Sequence, residues 1–256
     1  MDNENIQRMK AGVSGTFSRA AETYDQVGPR FFAPLGQRLV EVAEIPVGAT
    51  VLDVAAGRGA VLFPAAERVG AQGHVIGIDL AEGMVKETNA EIQRRAIANA
   101  EMRVMDAEVL DFRDETFDVV LCGFGIHIFS QRAKALAEFR RVLKSGGKLA
   151  VSTWGRDDER WKWMRELQKK YRPTNASTSS SAPNPLNNPV GLEEIMREAQ
   201  FEQIRVVGED PEAIYADEET WWATQWSHFG RFLLETLSPE MLDNYKAEAF
   251  EKLQMN

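Results

Sequence analysis

The sequence has a single cysteine, Cys122, among 256 residues, so no disulfide can form within the chain. Disulfides are typical of oxidising compartments, and the first residues, Met1–Asn5, are polar and acidic, unlike a signal peptide. No apolar run approaches the roughly 18–20 residues that a transmembrane helix requires. We therefore expect a cytoplasmic protein without a membrane span.

Positive charge is also scarce, because 30 Lys and Arg residues face 39 Asp and Glu residues and leave a formal net charge of −9. Proteins that bind nucleic acid usually present a basic surface to the phosphates, so we expect no nucleic-acid partner. No cluster of His, Cys and carboxylate residues has the spacing of a metal site, and we expect no metal. A small-molecule partner is the remaining expectation.

One stretch, Ala49–Ala60, organises the rest of the chain. It begins as a short apolar run, passes into small residues around Gly57 and Gly59, and continues with apolar residues at helical spacing. A strand, a tight turn and a helix in this order are typical of a nucleotide-binding α/β unit, because the turn lets the backbone approach a ligand. A dinucleotide fingerprint would have a third glycine at Leu62, and its absence disfavours a nicotinamide cofactor.

Four further strands alternate with helices after the first one. The predicted strands are residues 50–54, 74–80, 101–105, 117–122 and 148–154. Regular alternation of this kind predicts a parallel sheet with helices on both faces, which is a doubly wound, Rossmann-like α/β fold.

An acidic residue lies at the end of each of the first three strands, and such ends meet at one edge of a parallel sheet. Asp53 is placed to meet a positive charge. Asp79 lies 20 positions after Gly59 and can accept hydrogen bonds from both hydroxyls of a ribose, or else cap the next helix. Asp106 can hold an adenine amino group. A ligand with a cationic amino-acid end, a ribose and an adenine, but no phosphate, fits this set, and S-adenosylmethionine is such a ligand.

The pattern changes on both sides of the predicted cofactor-binding core, residues 47–156. Residues 1–46 are predicted to form an N-terminal helical cap, and residues 157–256 a helical lid. Within the lid we expect helices at 158–170, 192–199, 220–237 and 239–253, a mobile loop at 172–190, and a sixth strand at Phe201–Val207.

Residues 15–155 resemble the class I S-adenosylmethionine-dependent methyltransferases, and among them the group with the ubiquinone- and menaquinone-biosynthesis enzymes. The matching residues are Phe17, Ala21, Tyr24-Asp25, Val51–Gly59, Ile78-Asp79, Asp106-Ala107, Phe117–Gly125 and Arg141–Gly147. The resemblance implies a mostly parallel sheet of the seven-stranded type and S-adenosylmethionine as cofactor. The residues that it implies for cofactor binding are Tyr24, Asp53, Ala55, Ala56, Gly57, Gly59, Asp79, Leu80, Met84, Asp106, Ala107, Glu108, Cys122 and Gly123.

The resemblance also assigns parts of the cofactor to parts of the chain. By it, residues 55–59 line the amino-acid end, and Cys122 and Gly123 lie beside the methionyl group, while Tyr24 closes over the cofactor. Two departures stand out: Ala55 replaces a usual glycine, and the last antiparallel strand has no obvious counterpart. Residues 212–215 could supply that strand as part of a hairpin.

His127, just beyond the fourth strand, is the leading candidate for a general base, and the alternative is a hydrogen-bonded loop residue. Tyr24 is a second catalytic candidate, while His74 and His228 have weaker claims. Aromatic walls suit an apolar or planar acceptor, although tryptophans could equally bury a lid against the core. The predicted acceptor-binding residues are Phe124, His127, Trp154, Trp222 and Trp226.

The sequence therefore predicts methyl transfer from S-adenosylmethionine to a small aromatic or hydrophobic acceptor, on oxygen, carbon or nitrogen. Residues 122–125 replace the Asn/Asp-Pro-Pro-aromatic motif, which disfavours methylation of nucleic-acid bases. Two alternatives stay open: a cofactor-binding fold that catalyses another reaction such as a cyclisation, and a non-catalytic cofactor-binding protein. The acceptor and the oligomeric state are not determined by these patterns.

Overall fold

A computed structural model describes residues 2–156, 158–172 and 184–255. At its centre is a sheet of five parallel strands in the order β3-β2-β1-β4-β5. The strands are β1 (Thr50–Val54), β2 (His74–Asp79), β3 (Ala100–Val104), β4 (Phe117–Gly123) and β5 (Leu143–Ser152).

Ten helices surround this sheet in the part of the chain that the structure describes. They are α1 (Asn3–Ala20), α2 (Phe32–Ala43), α3 (Leu62–Val69), α4 (Glu82–Arg94), α5 (Arg132–Val142), α6 (Lys162–Tyr171), α7 (Pro189–Glu198), α8 (Glu218–Ser227), α9 (Arg231–Leu234) and α10 (Pro239–Met255). None of the described helices is both long enough and apolar enough to cross a bilayer.

Strand β1 lies in the middle of the sheet, where Val51 pairs with Val75 of β2 on one side and with Val119 of β4 on the other. The chain runs outward from β1 through β2 to β3, then returns to the other side of β1 to form β4 and β5. The order of strands therefore reverses between β1 and β4. In open parallel sheets, ligands bind outside the carboxyl ends of the strands at this reversal.

Both faces of the sheet are covered by helices, which confirms the predicted doubly wound arrangement. On one face, α2, α3 and α4 contribute Leu39, Leu62 and Ile92 to a buried cluster. On the other face, Phe139 of α5 and Met196 of α7 pack against the sheet. Strands buried on both sides are nearly continuous apolar runs, and β1 and β4 approach this composition, with one aspartate in each.

The C-terminal helices form a separate hydrophobic cluster. Helices α6, α8, α9 and α10 pack around Trp221 and Tyr245, both almost fully buried, and the partly buried tryptophans at 161, 163, 222 and 226 pack against this cluster. The abundance of tryptophan in this part of the chain is thus explained by its own core. Whether these helices act as a lid stays a prediction, as does the division of the chain at residues 46 and 156.

The sixth strand predicted at Phe201–Val207 is wrong. The segment joins no strand of the described sheet, because Phe201 and Ile204 pack on the α5 face and the Arg205 guanidinium donates to the Val42 carbonyl at 3.2 Å. Residues 212–215 also lie outside the sheet. Five strands are therefore described, where the sequence predicted a sheet of the seven-stranded type.

Three local predictions also need correction. The fifth strand, predicted at residues 148–154, begins earlier and spans Leu143–Ser152, directly after α5 ends at Val142. The helix predicted at 220–237 is broken into α8 and α9 at His228–Gly230. Of the loop predicted at 172–190, residues 173–183 lie outside the described residues, and the rest holds a short 3₁₀ turn and the start of α7.

Candidate active site

A cavity of about 1060 Å³ opens at the carboxyl ends of β1 and β4, where the strand order reverses. The turn after β1, the loop after β4, α2 and the end of α8 line it, and it continues as a groove along α3 and α4. Of the predicted cofactor residues, this cavity brings together Tyr24, Asp53, Ala55, Ala56, Gly57, Gly59, Asp79, Met84 and Gly123.

The turn after β1 is held in the conformation that its small residues predict. Ala55, Gly57 and Gly59 all have positive φ, at 55°, 52° and 82°. Ala55 is an L residue in the left-handed region, and its methyl group fits because Gly125 stands opposite, where an added Cβ would lie 2.6 Å from the Cβ of Ala55. The usual glycine is thus replaced at a small conformational cost.

Asp79 braces this turn. Its Oδ2 accepts the Gly57 N–H at 2.9 Å, and its Oδ1 accepts the Ala81 N–H at 2.9 Å. Burial raises the pKa of the Asp79 carboxyl, and hydrogen bonds from Ala81 and Gly57 oppose that rise. Ala81 is the N-cap residue of α4, so Asp79 ties two loops together and does not cap the helix itself.

Asp53 is fully buried, and neither of its carboxylate oxygens has a hydrogen-bond partner among the described residues. Burial raises the pKa of this carboxyl well above its usual range, the nearby negative charge of Asp79 adds to the rise, and the nearby backbone N–H of Leu62 opposes it in part. A buried, unpartnered carboxyl is costly to a fold. Because Asp53 lines the cavity, a bound ligand could supply the missing hydrogen-bond or charge partner.

A second, smaller cavity of about 60 Å³ lies beside the main one, and Phe17, Ala55, Asp79 and Ile128 line both. The remaining acidic cofactor candidates, Asp106 and Glu108, are here, together with Leu80 and Ala107. The predicted cofactor residues are thus divided between two neighbouring cavities, with Asp79 between them.

Lys10 of α1 reaches into the smaller cavity and was not predicted. Its ammonium lies 2.6 Å from Oδ2 of Asp106 and 2.5 Å from Oε2 of Glu108. Burial lowers the pKa of Lys10, but the hydrogen bonds that its ammonium donates to both carboxylates, together with their negative charges, outweigh this and leave the pKa raised. A signal existed in the sequence, because Lys10 interrupts an apolar stripe formed by Ile6, Val13 and Phe17.

Unpartnered polar atoms are concentrated at the main cavity. Seven buried side-chain nitrogen or oxygen atoms of the described residues lack a hydrogen-bond partner. Six of these seven atoms belong to five residues that line this cavity: both oxygens of Asp53, and one atom each of Arg58, His127, Ser152 and His228. Because buried polar groups are normally hydrogen-bonded, this concentration indicates a binding site.

Aromatic side chains form a continuous part of the cavity lining. Tyr24 stacks on Phe32 with ring centroids 5.3 Å apart, and Phe124 lies 4.4 Å from Trp154. We call the set Tyr24, Phe31, Phe32, Phe124, Trp154 and His228 the aromatic wall.

Both His127 and His228 line the cavity with lowered pKa values. Burial is the larger cause in each case, and the positive charge of Arg132 adds to it at His127. Both imidazoles are therefore neutral at pH 7 and can accept a proton. Burial raises the pKa of the Tyr24 hydroxyl, with further contributions from Asp25 and Asp79, so this hydroxyl stays protonated.

Three predicted site residues lie elsewhere. Trp222 and Trp226 pack in the C-terminal helical cluster, where Lys246 lies 5.6 Å from the Trp222 ring and Arg231 lies 5.8 Å from the Trp226 ring. They do not line the main cavity, because α8 directs them toward α10 and α9. Cys122 is buried within the sheet, and Gly123 takes its expected place on the cavity.

Comparison with known proteins agrees with this geometry. Residues 6–159 match the model of the ubiE/COQ5 methyltransferase family. The chain belongs to this family. It is therefore a methyltransferase of the S-adenosylmethionine-dependent class, as the sequence predicted.

Two curated relatives show how far the similarity extends. Aklanonic acid methyltransferase of Streptomyces sp. (strain C5) is 42% identical over 144 residues, which are 56% of this chain and 66% of the relative. Nocamycin O-methyltransferase of Saccharothrix syringae is 30% identical over 251 residues, which are 93% of this chain and 89% of the relative. The first similarity is thus confined to about half of this methyltransferase, and the second extends through the C-terminal helices.

A solved structure shares the fold. A SAM-dependent methyltransferase from Aquifex aeolicus superimposes with a TM-score of 0.53 at 24% sequence identity, covering 67% of this chain and 82% of that one. The Rossmann-like architecture of the methyltransferase described here is thereby supported independently of its sequence motifs.

Proposed function

We propose that this methyltransferase transfers a methyl group from S-adenosylmethionine to an oxygen atom of a small, planar, hydrophobic acceptor. The observation that carries the proposal is one cavity with two unlike walls. Buried polar side-chain atoms without a hydrogen-bond partner, among them both oxygens of Asp53, line one part of it, and the aromatic wall lines another. Such a cavity suits a polar cofactor and an apolar acceptor held side by side.

The cofactor's amino-acid end is proposed to lie at Asp53 and the turn formed by residues 55–59. Asp53 supports this placement because its unpartnered carboxyl would gain a cationic partner. Asp79, between the two cavities, would meet the ribose, with Met84 and Gly123 on the same cavity. S-adenosylmethionine is compatible with these acidic residues because it carries no phosphate group that they would repel.

The adenine is proposed to occupy the smaller cavity, beside Leu80, Asp106 and Ala107. A volume of about 60 Å³ holds on the order of a few water molecules, so the ring needs more space than the ligand-free cavity provides. Lys10 of α1 closes this cavity by pairing with Asp106. We therefore expect α1 to move when the cofactor enters.

The acceptor is proposed to stack against the aromatic wall. Phe124 and Trp154 from the core, together with Phe31 and Phe32 from the N-terminal region, offer planar surfaces that favour aromatic ligands. The relative from Saccharothrix syringae is an O-methyltransferase, which supports an oxygen acceptor, and the aklanonic acid methyltransferase supports a small-molecule acceptor.

S-adenosylmethionine supplies an electrophilic methyl group with a neutral sulfide as leaving group, so the protein itself has to position, desolvate and deprotonate the acceptor. The aromatic wall positions the acceptor and excludes water. A neutral imidazole on the cavity can take a hydroxyl proton, and two imidazoles line it: His127, the leading candidate from the sequence, and His228. The Tyr24 hydroxyl stays protonated, so it can donate or accept a hydrogen bond but cannot serve as the base.

The test begins with calorimetric titration of the purified protein with S-adenosylmethionine and S-adenosylhomocysteine, with NAD as control. Micromolar binding of the first two alone is the expected result. Formation of S-adenosylhomocysteine is then followed by mass spectrometry with aklanonic acid and a panel of hydroxylated anthraquinones and naphthoquinones. Tight cofactor binding with no methylated product across the panel would instead favour a cyclisation or a non-catalytic role.

A further inference from the structure

His228 is held in one tautomer by its own helix. It directly follows α8, and its Nδ1 lies 3.0 Å from the carbonyl oxygen of Thr224. A carbonyl can only accept a hydrogen bond, so Nδ1 carries the proton and donates. In the neutral ring, Nε2 is therefore the nitrogen with the free lone pair.

The backbone that carries His228 is fixed against the N-terminal region at two points. A Cβ on Gly28, whose φ is +77°, would lie 2.4 Å from Oγ1 of Thr224, so these two segments of the chain are in close contact. The Ser227 hydroxyl donates to the carbonyl of Thr23 at 2.5 Å. Ser227 and Thr224 are both buried. The imidazole is consequently set in place before any ligand arrives.

Nε2 of His228 is buried and has no hydrogen-bond partner among the described residues. The ring contacts Tyr24, Phe31 and Phe32 at centroid distances of 5.0, 5.5 and 5.5 Å, and Tyr24 is the titratable group in this contact. Burial lowers the pKa of His228, and the hydrogen bond to Thr224 opposes the fall. Because His228 lines the cavity, the unpaired lone pair of Nε2 can accept a hydrogen bond from a bound ligand.

We propose that Nε2 of His228 is the base that receives the hydroxyl proton of the acceptor. This rests on the proposed function. The hydroxyl oxygen uses a lone pair to form a bond to the methyl carbon, the carbon–sulfur bond breaks with its electrons going to sulfur, and the hydroxyl proton moves to Nε2. The imidazolium formed then returns its proton to water, and the neutral base is restored.

His127 is less well prepared for this role. Its Nδ1 is buried without a partner, so nothing in the described residues selects its tautomer, and Arg132 disfavours a positive charge on the ring. An imidazole whose second nitrogen donates to a carbonyl is oriented and gains basicity. His228 has that support and His127 does not.

The tautomer is tested by nitrogen NMR on protein labelled at histidine. At pH 7 the His228 ring is expected to show a protonated Nδ1 and an unprotonated Nε2. Assignment is made by loss of the signal in His228→Gln. A protonated Nε2 at pH 7 would overturn the proposal, because that nitrogen could then only donate.

The role in catalysis is tested by pH profiles of kcat with the best acceptor from the quinone panel. His228→Gln keeps a hydrogen-bond acceptor near Nε2, and His228→Asn keeps a donor near Nδ1, but neither can accept a proton. Both are expected to lose about 10²–10⁴-fold in kcat at pH 7. Their rates are expected to recover with rising pH as the acceptor hydroxyl ionises in solution.

His74→Gln is the matched control, since His74 lies at the start of β2, away from the carboxyl ends of the strands. If wild-type protein methylates no acceptor, the proposed function fails and the role of His228 fails with it. If wild-type protein is active and the loss follows His127→Gln while His228→Gln keeps the wild-type profile, the role of His228 alone is overturned.

Discussion

The ammonium of Lys10 lies 2.6 Å from Oδ2 of Asp106, a residue 96 positions further along the chain. The same ammonium reaches Glu108, which is 1% exposed. One cation from α1 thus neutralises two acids at the end of β3. The contact joins the N-terminal helices to the sheet at the cavity where we place the adenine.

Lys10→Met is expected to lower the free energy of unfolding by about 3 kcal/mol, because it leaves the buried carboxylate of Glu108 and the partly buried one of Asp106 without their cation. Urea unfolding of the ligand-free protein measures the change. Arg8→Met is the matched control on the same helix: Arg8 pairs with Glu4 in solvent, and exposed pairs contribute about 0–1 kcal/mol. Equal effects of the two changes would show that the buried pair does not secure α1.

Proton release on cofactor binding is expected from Asp53. Its pKa is raised in the ligand-free protein, so the carboxyl holds a proton above its usual pKa of 3.8. A cation placed beside it favours the charged form. Affinity for S-adenosylmethionine is therefore expected to rise with pH up to the raised pKa and then level off. Calorimetry in buffers of different ionisation enthalpy counts the protons released.

Asp53→Asn provides the control for this linkage. The amide cannot ionise, so its cofactor affinity is expected to be weaker and independent of pH over the same range. Because the carboxyl pKa is higher in the folded than in the unfolded protein, the free energy of unfolding of the ligand-free protein falls as pH rises from the usual pKa to the raised one. The variant is expected not to show this fall. A wild-type affinity that is flat with pH would refute the assignment of Asp53.

Much of the site could be predicted because its signals are local. Each of Asp53, Asp79 and Asp106 follows an apolar run, and parallel strands bring such positions together without knowledge of distant contacts. The small residues after β1 likewise predict the turn on their own. These positions all lie on one of the two cavities.

The parts that sequence patterns could not determine depend on long-range packing. Trp222 and Trp226 are side chains of the kind that line an acceptor pocket, but α8 packs them into the C-terminal cluster. Residues 201–207 have the composition of a strand, but no β-partner lies beside them. Lys10 leaves a signal as a break in an apolar stripe, and His228 is a weaker candidate, but the partner of the first and the position of the second depend on contacts with Asp106 and with the N-terminal region.

Asp79→Ala is expected to weaken S-adenosylmethionine binding by about 1–3 kcal/mol, through unpaired ribose hydroxyls and through the loss of its bonds to Gly57 and Ala81. Calorimetry at pH 7 measures this change. Asp111→Ala, which removes one exposed acidic charge outside both cavities, is expected to bind as the wild type does. Unchanged affinity in Asp79→Ala would exclude it from the cofactor site.

Substitution of Trp154 is expected to affect acceptor binding, and substitution of Trp222 is expected to affect stability. Trp154 belongs to the aromatic wall, 43% exposed and 4.4 Å from Phe124. An aromatic contact contributes about 0.5–1.5 kcal/mol beyond its buried area, so Trp154→Ala is expected to raise the acceptor KM about tenfold or more and leave cofactor affinity unchanged.

Trp222→Ala is expected to act on stability instead. Its ring packs against Tyr245 with centroids 6.1 Å apart, and removal of such a side chain costs about 2 kcal/mol or more of unfolding free energy. The acceptor KM of the folded variant is expected to stay at the wild-type value. Steady-state kinetics and urea unfolding of both variants separate the two roles. A raised KM in Trp222→Ala with unchanged stability would restore this residue to the acceptor site, since only a direct contact would then account for it.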